Sequence, residues 1–172
     1  MTDKWLDEKG VWVKLSLTEL LNGVIVGAVR HFEAEKSNRS PKHGFDAKRD
    51  SAIGIHIEGA CGEIAVAKAV GRYFSGSFNT FKAADLGENV QVRTRSSHDY
   101  ELIVRNDDNP DHVYVLVTGT APTYCIRGWA YARDVMKPDY LANHGGRHEA
   151  YFVPPNALNS MLVKKKVQHD GL

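Results

Sequence analysis

Apolar residues recur at intervals of three or four in two early stretches of the chain, the spacing of a helix that buries one face. In the first stretch Ser16 precedes the apolar run and Glu19 stands three positions later, which predicts a capping box. Gly23 and Gly27 have the spacing of a tight contact with another helix. We interpret the apolar stripe as packing, and its members are Leu17, Leu20, Leu21, Val24, Ile25, Ala28, Val29 and Phe32.

The second stretch predicts a helix from Ile53 to Phe74. Its buried stripe consists of Ile53, Ile57, Ala60, Ile64 and Ala67. Glu63 flanks this stripe, and the residues within one helical turn of it offer no cation. A carboxylate in such surroundings needs a hydrogen bond, a proton or a metal ion, and a metal ion would meet that need best.

Runs of β-branched and aromatic residues between turn-forming residues predict strands. One short strand precedes the first helix, from Val11 to Leu15. The others are Ser77 to Lys82, Asn89 to Arg95, Tyr100 to Arg105, His112 to Thr118, Thr123 to Ala130 and Tyr151 to Val153. The run from His112 is apolar enough for a central strand that helices cover on both faces. We therefore expect an α/β fold, in which two N-terminal helices precede a central mixed sheet and small helices close its far side.

Acidic and polar residues collect between the second helix and the third predicted strand. Asp85 begins a leucine–glycine turn that lets the chain reverse into the strand ending at Arg95. Because side chains alternate along a strand, Gln91, Arg93 and Arg95 share one face. We expect Gln91 and Arg93 to point the same way as the neighbouring Asp85.

A glutamate on a helix, an aspartate at the start of a turn and a Gln-x-Arg strand resemble the PD-(D/E)XK nuclease superfamily, which has the restriction-endonuclease-like fold. The resemblance covers residues 53–131 and implies one nuclease-like domain over residues 1–172. The four motif positions fall on Glu63, Asp85, Gln91 and Arg93. The chain departs from the family pattern, because Ala84 replaces the proline, Gln91 the usual acid and Arg93 the lysine.

The resemblance implies that Glu63, Asp85 and Gln91 bind Mg²⁺ or Mn²⁺, since oxygen ligands suit hard cations. Such an ion polarises a phosphate oxygen and lowers the pKa of a bound water. Gln91 adds only a neutral oxygen, so the site should bind an ion more weakly than three carboxylates would. Arg93 stays protonated and cannot act as a general base. Its expected role is to clamp the scissile phosphate or to stabilise the transition state.

Arg95 lies on the same predicted face as Arg93, followed by two serines and His98. These residues would extend the site into a phosphate-binding edge. The alternative is an exposed strand face on which the two arginines pair with Asp99 or Glu101.

The segment from residue 36 to residue 50 has no apolar periodicity and collects basic residues, among them Lys42, Lys48 and Arg49. A run of charge is commonly a solvated loop. The same residues would also suit a loop that grips phosphates, because lysine and arginine supply most of the sequence-independent affinity for DNA. Both interpretations stay open.

Two other polar segments carry side chains of the kind that bind metals. Asp107 and Asp108 stand beside Asn109 and Pro110, a combination typical of a hairpin turn. Residues 143–149 include two histidines and a glutamate, but their spacing lacks the regularity of a helical or knuckle site. We interpret both segments as loops.

Composition narrows the class of protein. The chain has 172 residues, of which 42% are hydrophobic and 25% charged, so one globular domain is the default. Its formal net charge of +1 neither demands nor excludes nucleic acid. Cys61 and Cys125 lack partners at zinc-finger spacing and are interpreted as buried apolar residues in a reducing compartment. Without a signal peptide or a long apolar span, we expect a cytoplasmic protein that does not enter a membrane.

Two functions remain. The first is a Mg²⁺- or Mn²⁺-dependent endonuclease or exonuclease of phage or defence-system type, hydrolysing phosphodiester bonds in DNA in preference to RNA. The second is a catalytically degenerate module that binds nucleic acid or a protein partner without cleavage, which the missing lysine and acid favour. The sequence leaves open the strand preference, the sequence specificity and whether the chain forms a homodimer.

Overall fold

The computed structural model describes residues 10–37, 51–76, 84–144 and 148–161. The helices in these ranges are α1 (Leu17–Lys36), α2 (Ala52–Ala69) and α3 (Ala132–Val135). The strands are β1 (Val11–Lys14), β2 (Val90–Arg95), β3 (Leu102–Arg105), β4 (Val113–Thr120), β5 (Thr123–Tyr131), β6 (Leu141–Ala142) and β7 (Ala150–Val153). The predicted α/β class is confirmed. The strand predicted at residues 77–82 lies outside the described residues.

The start of α1 follows from its sequence. The Ser16 hydroxyl accepts a hydrogen bond from the Glu19 amide at 3.3 Å, and the Glu19 carboxylate accepts one from the Ser16 amide at 2.6 Å. Both amides belong to the turn whose donors have no partner inside the helix. The predicted capping box is therefore confirmed.

Two glycines bring α1 close to α2. A Cβ atom added at Gly27 would lie 2.5 Å from Cα of Ile57, and one added at Gly23 would overlap Sγ of Cys61. Any larger residue at these positions would push the two helices apart. The predicted tight contact between helices is confirmed.

Helix α2 is the buried centre of the fold. Residues 60–67 are buried on every side, because α1 covers one side of the helix and the sheet covers the other. Cys61 and Cys125 are buried, as predicted, and neither forms a disulfide. The helix ends at Ala69, short of the predicted end at Phe74.

The apolar stripe of α1 was predicted to pack against the rest of the chain, and most of it does not. Its large side chains are exposed to 74% at Leu17, 53% at Leu21, 44% at Val24, 60% at Ile25 and 60% at Phe32. The buried face of α1 consists of Gly23, Val26 and Gly27, on the other side of the helix. Close approach to α2 requires small residues, so the glycine face and not the bulkier stripe meets it.

The main sheet has the strand order β1-β5-β4-β2 within the described residues. Strand β2 runs parallel to β4, and the other pairs are antiparallel, so the sheet is mixed as predicted. One apolar core lies between this sheet and α2, and includes Ile64, Val92 and Val115. Strand β2 is the edge strand nearest to the candidate site.

Helices were expected to cover the face of the main sheet that lies away from α2, and the structure has mainly strands there. A second, antiparallel sheet with the order β3-β7-β6 lies there, together with the four-residue helix α3. Leu102 and Val153 from this second sheet share a core with Tyr114 and Leu116 from β4. The prediction that helices cover β4 on both faces was wrong, because strands close one of them.

No helix in the described parts of the chain combines the length and the apolar character needed to cross a lipid bilayer.

Candidate functional site

The packing of α2 on β2 fixes the position of Glu63. A Cβ atom at Gly62 would overlap the side chain of Thr94, so the helix backbone lies directly on the strand at this point. Glu63, the next residue along α2, is only 5% exposed. A buried carboxylate loses its hydration and requires compensation from its surroundings.

Arg30 on α1 supplies most of that compensation. Its Nη1 atom lies 2.5 Å from Oε1 of Glu63, and its Nη2 atom lies 2.9 Å from Oε2, which is a bidentate ion pair. Arg30 stands 33 positions before Glu63 on another helix, so the residues within one turn of Glu63 gave no sign of it. Arg30 falls three positions after Gly27 and four after Val26, so it belongs to the face that meets α2. That continuity was the signal that could have identified it.

Asp85 reaches the edge of the sheet from the turn before β2. Paired backbone hydrogen bonds between Leu86 and Val90, 3.1 and 3.3 Å long, close this turn, and Gly87 adopts a positive φ of 64° within it. The Oδ2 atom of Asp85 accepts a hydrogen bond of 2.7 Å from the Val92 amide. Within the described ranges no hydrogen bond reaches its Oδ1 atom.

Glu63 and Asp85 influence each other although 22 positions separate them in the sequence. Burial raises the pKa of Glu63 to about 7, the nearby negative charge of Asp85 adds to this rise, and Arg30 opposes it. Burial also raises the pKa of Asp85, against the opposing effects of the Val92 amide and of Arg93 and Arg30. Both carboxylates thus lie in one buried region that has too little positive charge to hold them fully ionised.

Arg93 lies on the opposite face of β2 from α2, and Asp108 binds it. The Nη2 atom of Arg93 is 3.0 Å from each carboxylate oxygen of Asp108, and its guanidinium group stacks 4.9 Å from the centre of the Tyr114 ring. Its Nε atom is buried without a hydrogen-bond partner. Asp108 also accepts a hydrogen bond from the Arg105 amide at 2.9 Å, as a turn residue does. The turn at Asp108 was predicted correctly, but it is not a hairpin, because β3 and β4 belong to different sheets, and Asp108 also neutralises Arg93.

Gln91 shares the face of Arg93, as predicted, but its amide contacts a histidine. The Nε2 atom of Gln91 lies 3.5 Å from Nδ1 of His112. The alternation of side chains along β2 agrees with its register against β4, in which Gln91 faces Tyr114 and Arg93 faces Leu116. Gln91 therefore lies on the face of β2 opposite α2, and its amide is directed to His112 just before β4.

Arg95 is held by neighbouring residues within the fold. Its guanidinium group stacks 4.7 Å from the centre of the Tyr100 ring and donates a hydrogen bond of 3.4 Å to the Glu101 carbonyl oxygen. Burial lowers the pKa of Arg95. His98, expected to extend the phosphate-binding edge, lies 2.8 Å from the Thr118 hydroxyl. The alternative of an exposed strand face was wrong, since both Arg93 and Arg95 are partly buried. The phosphate-binding edge stays a prediction.

The basic loop that contains Lys42, Lys48 and Arg49 lies outside the described residues, as does part of the loop at residues 143–149. Their predicted roles stay predictions.

The donor set at this edge suits a hard cation in part. Among the described residues, no group of three histidine, cysteine, aspartate or glutamate side chains is arranged to hold a metal ion. Asp85 offers one oxygen without a hydrogen bond, and burial disfavours the charge on both Asp85 and Glu63, which a cation would stabilise. Arg30, however, occupies both oxygens of Glu63. Asp85 fits the role of a metal ligand as it stands, and Glu63 fits it once one oxygen leaves Arg30.

The chain matches no protein-family model, no curated protein and no solved structure.

Proposed function

We propose that this chain is a metal-dependent nuclease that hydrolyses phosphodiester bonds in DNA. The observation that carries the proposal is the meeting of Glu63 and Asp85 in one buried region, where burial raises the pKa of both and the charge of Asp85 adds to the rise at Glu63. Burying two carboxylates in one place costs stability, so a purely structural role would not favour them. Clusters of groups with perturbed pKa values are typical of functional sites. The PD-(D/E)XK resemblance assigns a role to the same two residues.

In this proposal Asp85 and Glu63 hold Mg²⁺ or Mn²⁺, whereas Gln91, on the face of β2 opposite α2, is not among the ligands. The ion supplies charge stabilisation and an activated water when it is bound. Arg93 lies on the other face of β2, where its charge still lowers the pKa of both carboxylates, and its buried Nε donor has no acceptor among the described residues. We assign it the binding of the scissile phosphate, because a guanidinium group cannot accept the proton of water. The chain would act in the cytoplasm, where free thiols persist.

The test is the nicking of supercoiled plasmid with Mg²⁺ or Mn²⁺, compared with EDTA. Asp85→Asn keeps an oxygen that can accept the Val92 amide and removes only the charge, so it should fold and cleave about a hundredfold more slowly or worse. Asp111→Asn is the matched control, because Asp111 is 74% exposed and pairs with Arg133 at the surface. Cleavage that resists EDTA, or an Asp85→Asn protein that cleaves like the unaltered chain, would refute the assignment.

A second function is favoured by the ion pairs themselves. Arg30 occupies Glu63, Asp108 occupies Arg93, Gln91 contacts His112, and the Val92 amide binds one oxygen of Asp85, so each proposed group already has a partner within the fold. Such an arrangement suits a module that binds nucleic acid without cleaving it. Binding of a labelled duplex without nicking in either metal would support this function over the first.

Substitutions in the basic loop test whether either function involves a nucleic acid. If Lys42, Lys48 and Arg49 contact phosphates, replacing all three by alanine should reduce the slope of log affinity against log salt by two to three, at about 0.9 per contact. Fluorescence anisotropy with duplex DNA measures that slope. Arg133→Ala with Lys137→Ala is the control for a loss of positive charge elsewhere. Equal slopes in the triple variant and the unaltered chain would show that the loop is a solvated surface without phosphate contacts.

A further inference from the structure

Helix α1 is apolar on two opposite sides, and the second side has no cover within the described residues. At 100° per residue, Leu17, Leu21, Val24, Ala28 and Phe32 form one stripe along the whole helix, with Ile25 beside it. The glycine face that meets α2 lies about half a turn away. The five large side chains of the stripe are between 44% and 74% exposed. A single exposed leucine is ordinary, but an unbroken stripe of this length is typical of an interaction surface.

We propose that the stripe binds the same stripe on a second copy of this chain, in an antiparallel pair of α1 helices. A two-fold pairing centred between Val24 and Ile25 sets these two residues opposite each other. It sets Leu21 of each copy opposite Ala28 of the other, and Leu17 opposite Phe32. The two β-branched residues meet at the centre, and on each side of them Leu21 faces the small Ala28, so the stripe can pair with itself, as an isologous interface requires.

The exposed area is sufficient for such a pair. The stripe offers on the order of 500 Å² of apolar surface per copy, hence about 1,000 Å² in all, which is the lower limit for a specific interface. The stripe itself contains no charged residue, so pairing buries no unpaired charge. The proposed dimer does not depend on the nuclease proposal, because the Arg30–Glu63 pair lies on the other side of α1.

Sedimentation equilibrium and light scattering test the stoichiometry of the full chain. We expect a dimer at micromolar concentration, and Leu21→Glu should weaken dimerisation by about a hundredfold or more, because it buries two like charges at the interface. Leu21 is 53% exposed, so the same change should leave the circular dichroism spectrum intact. Tyr73→Glu, at a residue 90% exposed outside the stripe, is the matched control and should remain dimeric.

Engineered cysteines test the antiparallel direction. Val24→Cys lies near the proposed two-fold axis and should form a disulfide between copies under mild oxidation. Leu17→Cys alone should not, whereas a mixture of Leu17→Cys and Phe32→Cys proteins should cross-link. Crosslinking of Leu17→Cys with itself would overturn the antiparallel arrangement.

Four outcomes would overturn the dimer. A chain that stays monomeric at 100 times the concentration used for binding assays refutes it, and so does a dimer that Leu21→Glu leaves intact. A monomer that dimerises only after residues 1–9 are removed would show that the chain's own N-terminal segment covers the stripe. A monomer that binds uncharged phosphatidylcholine vesicles would assign the stripe to a lipid surface.

Discussion

Replacing Arg30 by methionine should destabilise the fold severely. The Glu63 side chain is 7% exposed and that of Arg30 is 23% exposed, so the change leaves a buried carboxylate without its bidentate partner. Removing one member of a buried pair costs about 3–5 kcal/mol, a large share of the roughly 5–15 kcal/mol that stabilises a domain. For a chain of this size the melting temperature should fall by roughly 10 °C.

The matched control is Arg133→Met. Arg133 also pairs with an aspartate, at 2.9 Å, but its side chain is 55% exposed and that of Asp111 is 74% exposed. Water screens such a pair, so its loss should cost less than about 1 kcal/mol. Urea denaturation at pH 8 measures the free energy of unfolding of both variants.

A double variant separates the lost pair from the lost packing. Arg30→Met combined with Glu63→Met removes both charges, and replacing a buried pair by apolar side chains is commonly neutral or stabilising. It should therefore recover most of the stability that Arg30→Met alone loses. Two results would contradict this prediction: equal losses of stability in Arg30→Met and Arg133→Met, or a double variant no more stable than Arg30→Met. Either result would show that Glu63 does not carry a buried charge that Arg30 stabilises.

Two further predictions concern the same helices. The pKa of Glu63 is about 7 in the folded chain, against 4.5 for an ordinary glutamate. Between these two pH values the folded state therefore binds more protons than the unfolded state. The free energy of unfolding should fall by about 3 kcal/mol as the pH rises through this window. Denaturation at pH 5 and pH 8 should show the fall, and Glu63→Gln should abolish it. Gly27→Ala should cost about 1–3 kcal/mol in melting experiments by separating α1 from α2. Gly59→Ala, where a Cβ atom meets nothing within 4 Å, should be stabilising by about 0.5–1 kcal/mol.

Local features of the fold could be predicted from the sequence because local physics sets them. The capping box at Ser16 needs only the residue three positions later, and the shared face of Gln91 and Arg93 follows from the alternation of side chains. The glycine contact of α1 was also predictable, since Gly23 and Gly27 have the required spacing. These features depend on separations of a few residues.

The errors arose where distant segments decide the structure. Strand β3 pairs with β7, so that Leu102 faces Val153. No local sequence pattern indicates a second sheet built from strands so far apart in the chain. On α1 the most apolar stripe was taken for the buried one, whereas the close approach of α2 selected the glycine face. That error also concealed Arg30, which continues the glycine face towards Glu63. The ion pair between Asp108 and Arg93 was missed for the same reason, because the two residues lie 15 positions apart on different elements.

The ionised form of Glu63 needs a cation in this fold, and this requirement links the stability of the chain to its proposed chemistry. Counted formally, Glu63, Asp85 and Asp108 carry three negative charges, while Arg30 and Arg93 carry two positive ones, which leaves the cluster at −1. A divalent ion would change that charge to +1, and the phosphate of a DNA strand would return it to zero. An ion and a phosphate therefore stabilise each other at this site, while Arg30 and the ion compete for the same oxygens of Glu63. The nuclease proposal requires that the ion and the phosphate together outcompete Arg30, and the non-cleaving module is the outcome when they do not.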